Sequence, residues 1–234
     1  MDKVLLETQN LNAYYGDFQA LYDVSIKVMS NEVITIIGAN GSGKSTLLKS
    51  ICGLININNN QIKFNKKSIG GMRPDQIATL GVALVPEGRQ LFESLSVEEN
   101  LVIGGQVNRS GNWSLETVYN LFPVLKERKN QASTELSGGQ QQMVAIGRAL
   151  MANPTLLLLD EISLGLAPVI IKSIYEALPT IIGNGMSAVI VEQDINKALE
   201  FSHRAYCLQE GRVSLSGKSA SLARSDISKA YFGI

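Results

Sequence analysis

The residues with the plainest chemical purpose lie between positions 38 and 46. Gly38-Ala39-Asn40-Gly41-Ser42-Gly43-Lys44-Ser45 fits the pattern G-x-x-x-x-G-K-[ST], and Thr46 follows it. Glycines at these spacings let the backbone curl until consecutive N–H groups point at one anion, and a helix opening next adds the partial positive charge of its N-terminus. Lys44 supplies a full charge able to reach the β- and γ-phosphates of a nucleotide, and the Ser45 hydroxyl is a fitting ligand for the accompanying Mg²⁺. The bland alternative is a Gly-rich turn before a helix. Context argues against it, because an apolar strand-like run, Val33–Ile37, precedes the loop and a helix-like stretch, Lys44–Cys52, follows it.

A second acidic element is Leu156-Leu157-Leu158-Leu159-Asp160-Glu161. A buried strand ending in Asp delivers a carboxylate to a Mg²⁺ shell at the carboxyl edge of a sheet. The next residue, Glu161, is then placed to polarise an attacking water as a general base. Many strands end in acidic residues, so this pattern gains its weight from the phosphate loop upstream. Leu136-Ser137-Gly138-Gly139-Gln140 is another Gly-rich turn leading into a helix, a second anion-facing turn with no lysine of its own.

These residues need a frame. Four short apolar runs, Val33–Ile37, Val82–Val85, Leu156–Leu159 and Ala188–Val191, read as strands covered on both faces, hence parallel and joined by helices. Helical patterns cover Lys44–Cys52, Gln140–Ala152 (stopped by Asn153-Pro154) and Val169–Ile182 (followed by Gly183). Residues 3–28 read as short strands forming an antiparallel edge. Tyr206–Gly217 reads as a hairpin turning at Glu210-Gly211, with a terminal helix over 219–232. The chain around 92–151 is helical in character and looks inserted between two strands. The expectation is one α/β domain over 1–234, with a parallel core sheet, an N-terminal antiparallel β edge and a helical subdomain at approximately 92–151.

Composition agrees with a single folded domain. The 234 residues are 45% hydrophobic and carry 21 basic against 21 acidic side chains, so no global field draws the chain to nucleic acid. No apolar run reaches the ~18–20 residues that span a bilayer, and the start shows no basic, apolar leader, so the chain is expected to stay in the cytoplasm. Cys52 and Cys207 lack metal-ligand spacing and are expected to be buried packing residues.

Together the motifs resemble the ABC ATPases over the whole chain. Leu136–Gln140 resembles their signature sequence, about twenty residues before the acidic strand, as in that family. The resemblance implies that Tyr15 stacks on adenine and that Val85-Pro86-Glu87 is the Q-loop, with Glu87 near the metal. It places the D-loop at Ser163-Leu164-Gly165-Leu166 and the switch residue at Gln193 within Val191-Glu192-Gln193-Asp194. It implies ATP as substrate and Mg²⁺ as cofactor. Lys44, Glu161 and Gln193 are then the catalytic residues, Ser45, Asp160 and Glu87 lie at the metal, and Gly38, Asn40, Gly41, Ser42, Gly43, Lys44, Ser45 and Thr46 hold the phosphates. Ser137, Gly138, Gly139 and Gln140 would face the nucleotide of a second cassette.

Finer matches, Val85-Pro86-Glu87-Gly88-Arg89, Ser163–Pro168, Val191-Glu192-Gln193 and Ala230-Tyr231-Phe232-Gly233, are similar to the smaller ATPase subunit of branched-chain amino-acid importers. That branch implies a second, different ATP-binding subunit, two membrane permeases, an extracytoplasmic substrate-binding protein, no nucleic acid, and a place at the cytoplasmic face of the membrane. The rival is a soluble ABC ATPase of DNA repair, translation or cofactor assembly. Such proteins carry a second cassette, a coiled coil or a basic surface, none of which this sequence has.

Departures from the family pattern are few. Ile162 stands where Pro is usual after the acidic strand and could loosen the approach to the D-loop. Asn31, Asn60 and Asn65 stand at turn-glycine positions, where Asn can hold positive φ. Three features are set aside. His203, the single histidine, is expected in a helix-like Lys197–Arg204 as a surface or helix-end residue. Lys126-Glu127-Arg128-Lys129 is read as a solvated helix face, and Trp113, in a polar stretch, as exposed. Lys44→Ala is expected to weaken ATP binding severely while the chain stays folded; a calorimetric titration giving unchanged affinity would contradict the phosphate-loop assignment.

Overall fold

The structure, a computed structural model, describes residues 3–58, 60–183 and 185–232, so Asn59, and Gly233 of the C-terminal match, lie outside it. In chain order the elements are β1 (Val4–Thr8), β2 (Leu11–Tyr15), β3 (Phe18–Val24), β4 (Lys27–Met29), β5 (Val33–Ile37), α1 (Lys44–Ile51), β6 (Ile62–Phe64), β7 (Lys67–Ser68) and α2 (Pro74–Leu80). Next come β8 (Val82–Val85), α3 (Val97–Gly104), α4 (Leu115–Leu121), α5 (Pro123–Glu127), α6 (Gly138–Met151), β9 (Leu156–Asp160) and α7 (Pro168–Ile182). The chain closes with β10 (Ser187–Val191), α8 (Ile195–Glu200), β11 (Arg204–Gln209), β12 (Arg212–Lys218) and α9 (Arg224–Phe232). Among the described residues no helix is long and apolar enough to cross a membrane.

Two compact units emerge, one from 1–77 with 187–234 and one from 78–186. In the first, β5 is buried at every position, as β-branched residues covered on both faces should be. It pairs in parallel with β10 (Val189 beside Ile34) and with β11 (Tyr206 beside Ile36), while β12 returns antiparallel to β11. The expected antiparallel edge is present as β4-β1-β6-β7 and the β2-β3 hairpin. Ile37, Ala198, Cys207 and Ile227 form a buried cluster that seats α8 and α9. Both cysteines are buried, as expected. Asn31 and Asn65 do hold left-handed backbone, at φ 61° and 49°.

In the second unit β8 and β9 pair in parallel, Val82 beside Leu156 through Val85 beside Leu159. Helices occupy 97–104, 115–121, 123–127 and 138–151. Gly147 on α6 lets Leu101 and Val118 approach within 2.7 and 2.8 Å of where a Cβ would stand, which draws α3 and α4 against α6. Two expectations need correction here and in the first unit. Trp113 is buried, at 8% exposure. The Asn153 side chain accepts from its N–H at 2.8 Å and donates to the Trp113 and Arg109 carbonyls at 3.0 and 3.3 Å. The polar neighbours of Trp113 thus belong to a loop tied down by hydrogen bonds, which leaves the indole to turn inward. His203 is exposed, as expected, but lies beyond the helix, which ends at Glu200; its Nδ1 accepts from the Val33 N–H at 3.1 Å. The basic-acidic run 126–129 straddles the end of α5, with Lys129 3.8 Å from Glu98.

One ion pair fastens the first unit. Arg204 donates both its Nε and Nη2 to the Glu32 carboxylate (2.9 Å for Nη2), and donates to the Lys27 carbonyl at 2.7 Å. Burial pushes the Glu32 carboxyl up, but the Arg204 bonds, the Met29 N–H and the nearby Arg204 and His203 charges outweigh it and leave the group below its ordinary value. A carboxylate so depressed contributes stability above the unfolded glutamate pKa of about 4.3 and loses it as pH falls through the folded value. Glu32→Gln is therefore expected to cost about 1–3 kcal/mol at neutral pH. The gap from wild type should close in urea titrations at acidic pH; a gap that persists there would show that the ion pair is not its source.

Candidate functional site

In the first unit the phosphate loop runs between β5 and α1 as the sequence requires. Lys44 is 4% exposed and its Nζ donates to the Gly38 and Ala39 carbonyls at 2.9 and 3.1 Å. The Ser42 N–H closes a turn on the Ala39 carbonyl at 3.1 Å. Gly43 caps α1 at φ 102° and contributes no capping side chain, so the first turn presents N–H groups without one. Only glycine serves at Gly43, because Leu21 Cδ2 lies 2.6 Å from where a Cβ would sit. Ser42 is 5% exposed and its Oγ has no hydrogen-bond partner. A buried orphan hydroxyl, a folded-back ammonium and a helix N-terminus with no capping side chain are features an anion satisfies.

Tyr15 and Thr46 come together here, the Tyr15 hydroxyl 3.4 Å from Thr46 Oγ1, while the Tyr15 ring remains 48% exposed. Gln193 follows β10 in the same unit. The helix after it is capped by Asp194, whose Oδ1 accepts from the Asn196 and Lys197 N–H groups at 3.1 and 3.3 Å. That cap went unnoticed in the sequence, although an acidic residue before a helical run is its usual signal.

The second unit holds the acidic pair, Glu87 and the signature turn. Asp160 closes β9 at 3% exposure, and Glu161 follows at φ 46°, a left-handed conformation that costs a non-glycine residue ~1 kcal/mol. Ile162, the departure from the usual Pro, is 1% exposed and packed. Glu87 is exposed in the loop after β8. Ser137 caps α6 in a capping box: its Oγ accepts from the Gln140 N–H at 3.4 Å and the Gln140 side chain accepts from the Ser137 N–H at 3.0 Å. The two signature glycines answer to packing, Gly138 to the Arg89 guanidinium (3.0 Å from a Cβ position) and Gly139 to Ile170. Arg89 and Gln141, joined at 3.2 Å, are partners the sequence reading missed, and their pairing across the chain left no local signal.

The family model described as ABC transporter matches residues 21–163. The high-affinity branched-chain amino acid transport ATP-binding protein BraG of Pseudomonas aeruginosa is 44% identical over 98% of this chain and 100% of its own length. A probable branched-chain amino acid transport ATP-binding protein, LivF of Archaeoglobus fulgidus, is 34% identical over 93% and 94% of the two chains. Among solved structures, a nucleotide-free ATP-binding cassette of an ABC transporter superposes with a TM-score of 0.80 at 29% identity, covering 97% of this chain and 94% of that one. A dimeric cassette in a post-hydrolysis state with ADP and Pi gives 0.82 at 26% identity, over 93% and 100%.

The packing at Gly139 yields a test. A methyl there meets the β-branched Ile170, whose Cγ1 stands 3.0 Å from the Cβ position, so Gly139→Ala is expected to lose about 1–3 kcal/mol of stability. Adding Ile170→Ala should recover part of the loss in urea denaturation, an outcome that strict additivity of the two changes would exclude.

Proposed function

The chain belongs to the ABC transporter family, and from that premise we propose that it energises an importer of branched-chain or other hydrophobic amino acids. It is an ATPase: it binds ATP and hydrolyses it. The reading rests chiefly on the match to BraG, which runs the full length of that transport protein. The whole chain, 1–234, serves as one ATP-binding domain, with the helical stretch at about 92–151 as its subdomain.

Lys44 holds the β- and γ-phosphates and offsets their charge, while the loop 38–46 orients them through backbone N–H groups and the Tyr15 ring carries the adenine. Ser45 and Asp160 offer the hard oxygens that Mg²⁺ takes, with Glu87 a further oxygen donor. Asp160, 3% exposed at the end of a leucine strand, is a carboxylate whose burial a cation offsets. Bound Mg²⁺ would neutralise phosphate charge. Glu161 accepts a proton from the attacking water as its oxygen bonds to the γ-phosphorus and the bond to ADP breaks. Gln193 has no titrating group; its amide donates a hydrogen bond to the γ-phosphate or the water and leaves Glu161 as the base.

Two cassettes meet head-to-tail, the second a non-identical subunit, so that Ser137–Gln140 of one chain face the nucleotide on Lys44 of the other. Two permeases carry the pair at the cytoplasmic face of the membrane, and an extracytoplasmic binding protein delivers the cargo.

Glu161→Gln should retain ATP binding and lower turnover by about 10²–10⁴-fold. Gln193→Ala should slow it less, since a positioning bond is lost and the base remains. Steady-state ATPase assays decide both: wild-type turnover in Glu161→Gln would place the base elsewhere. The transport reading is checked by mass spectrometry of what co-purifies from native membranes and by ATP-dependent uptake of leucine into vesicles. An associated exporter, or no membrane protein, would overturn it.

A further inference from the structure

We propose that Arg89 is a positioning residue that locks the signature turn to the segment 87–92, so that a displacement of that segment is passed to the residues facing the second nucleotide. The role of the signature rests on the function proposed above; the lock itself rests on geometry within the second unit.

The segment is strained. Gly88, Arg89 and Gln90 all sit at positive φ, 73°, 65° and 46°. Neither non-glycine residue favours that region, and each persists there only where surrounding contacts dictate it. Those contacts come from α6. Arg148 Nη2 donates to the Arg89 carbonyl at 3.1 Å, and its guanidinium lies 5.5 Å from the centre of the Phe92 ring. Arg89 Nη1 donates to Gln141 Oε1 at 3.2 Å, and the same guanidinium covers the Gly138 backbone. Positions 141 and 148 are two turns apart, roughly 10 Å along the helix. The strained segment therefore grips α6 at both ends of a rigid lever.

The Gln141 carboxamide explains why an arginine is needed. Its Nε2 donates to the Ser133 and Leu136 carbonyls at 3.1 and 3.2 Å, which holds the chain entering the signature turn. Guanidinium can only donate, so it fixes the amide with oxygen toward Arg89 and both N–H groups toward the carbonyls. Without Arg89 the amide can flip, and a flipped amide sets its oxygen against those carbonyls. The Leu136–Gly138 backbone then loses its anchor while the P-loop, in the other unit, keeps its own bonds.

Arg89→Asn is the cleanest variant, because Asn tolerates the left-handed backbone and cannot reach Gln141. In the purified full chain, amide exchange over 133–141 is expected to rise about tenfold in Arg89→Asn and in Gln141→Ala, and no further in the double variant. Exchange in the P-loop and the affinity for ADP should not change. In the assembled transporter, ATPase kcat should fall about tenfold with KM for ATP nearly constant. Gln141→Glu, whose carboxylate still accepts from Arg89 but cannot donate to the Ser133 and Leu136 carbonyls, should raise exchange over 133–141 at least as far as Gln141→Ala does. Wild-type exchange at 133–141 in Arg89→Asn, or multiplicative effects of the two single changes, would overturn the lock. A wild-type complex without uptake would count against the transport reading and leave the exchange result to stand by itself.

Discussion

Lys44 sets the terms for the first unit. An ammonium at 4% exposure is costly to keep out of water, and here two loop carbonyls, those of Gly38 and Ala39, turn inward to meet it. The left-handed glycines at 41 and 43, the apolar strand that delivers the loop and the helix that leaves it all serve that single curl. A cation with dipolar partners of this kind is ready for an anion that bonds it more strongly than a carbonyl does.

The two Gly-rich turns resemble each other in sequence and differ in chemistry. Helix α1 begins with Gly43, which contributes no capping side chain to its N-terminal dipole. Helix α6 begins with a complete capping box, Ser137 and Gln140 satisfying one another's N–H groups. Its serine oxygen already accepts a bond, and what it has left to give is its hydroxyl proton. One turn is left without a side-chain cap; the other holds its own shape through its capping box.

Glycine carries three different meanings along this chain. At Gly43 the backbone demands φ 102° and Leu21 occupies the space a side chain would need. At Gly138 and Gly139 the space is taken by Arg89 and Ile170, from the loop after β8 and from α7. At Gly147 it admits Leu101 and Val118 so that three helices can close on one another. A pattern of glycines announces a close approach in each case and says nothing of what approaches.

The phosphate loop, the leucine strand ending in Asp160, the hairpin turning at Glu210-Gly211 and the left-handed asparagines at 31 and 65 were legible in the sequence. Each is dictated by neighbours a few residues away, through backbone conformation and alternating burial. Trp113, His203 and Arg89 were not legible, because their surroundings come from distant chain: Asn153 for the first, Val33 for the second, Gln141 for the third. The Glu32–Arg204 pair spans 172 residues. Local propensity fixes where a strand, a turn or a helix begins. Which side chains meet is settled only when those elements pack, since the free energy of a long-range contact exists only after the intervening chain has been ordered.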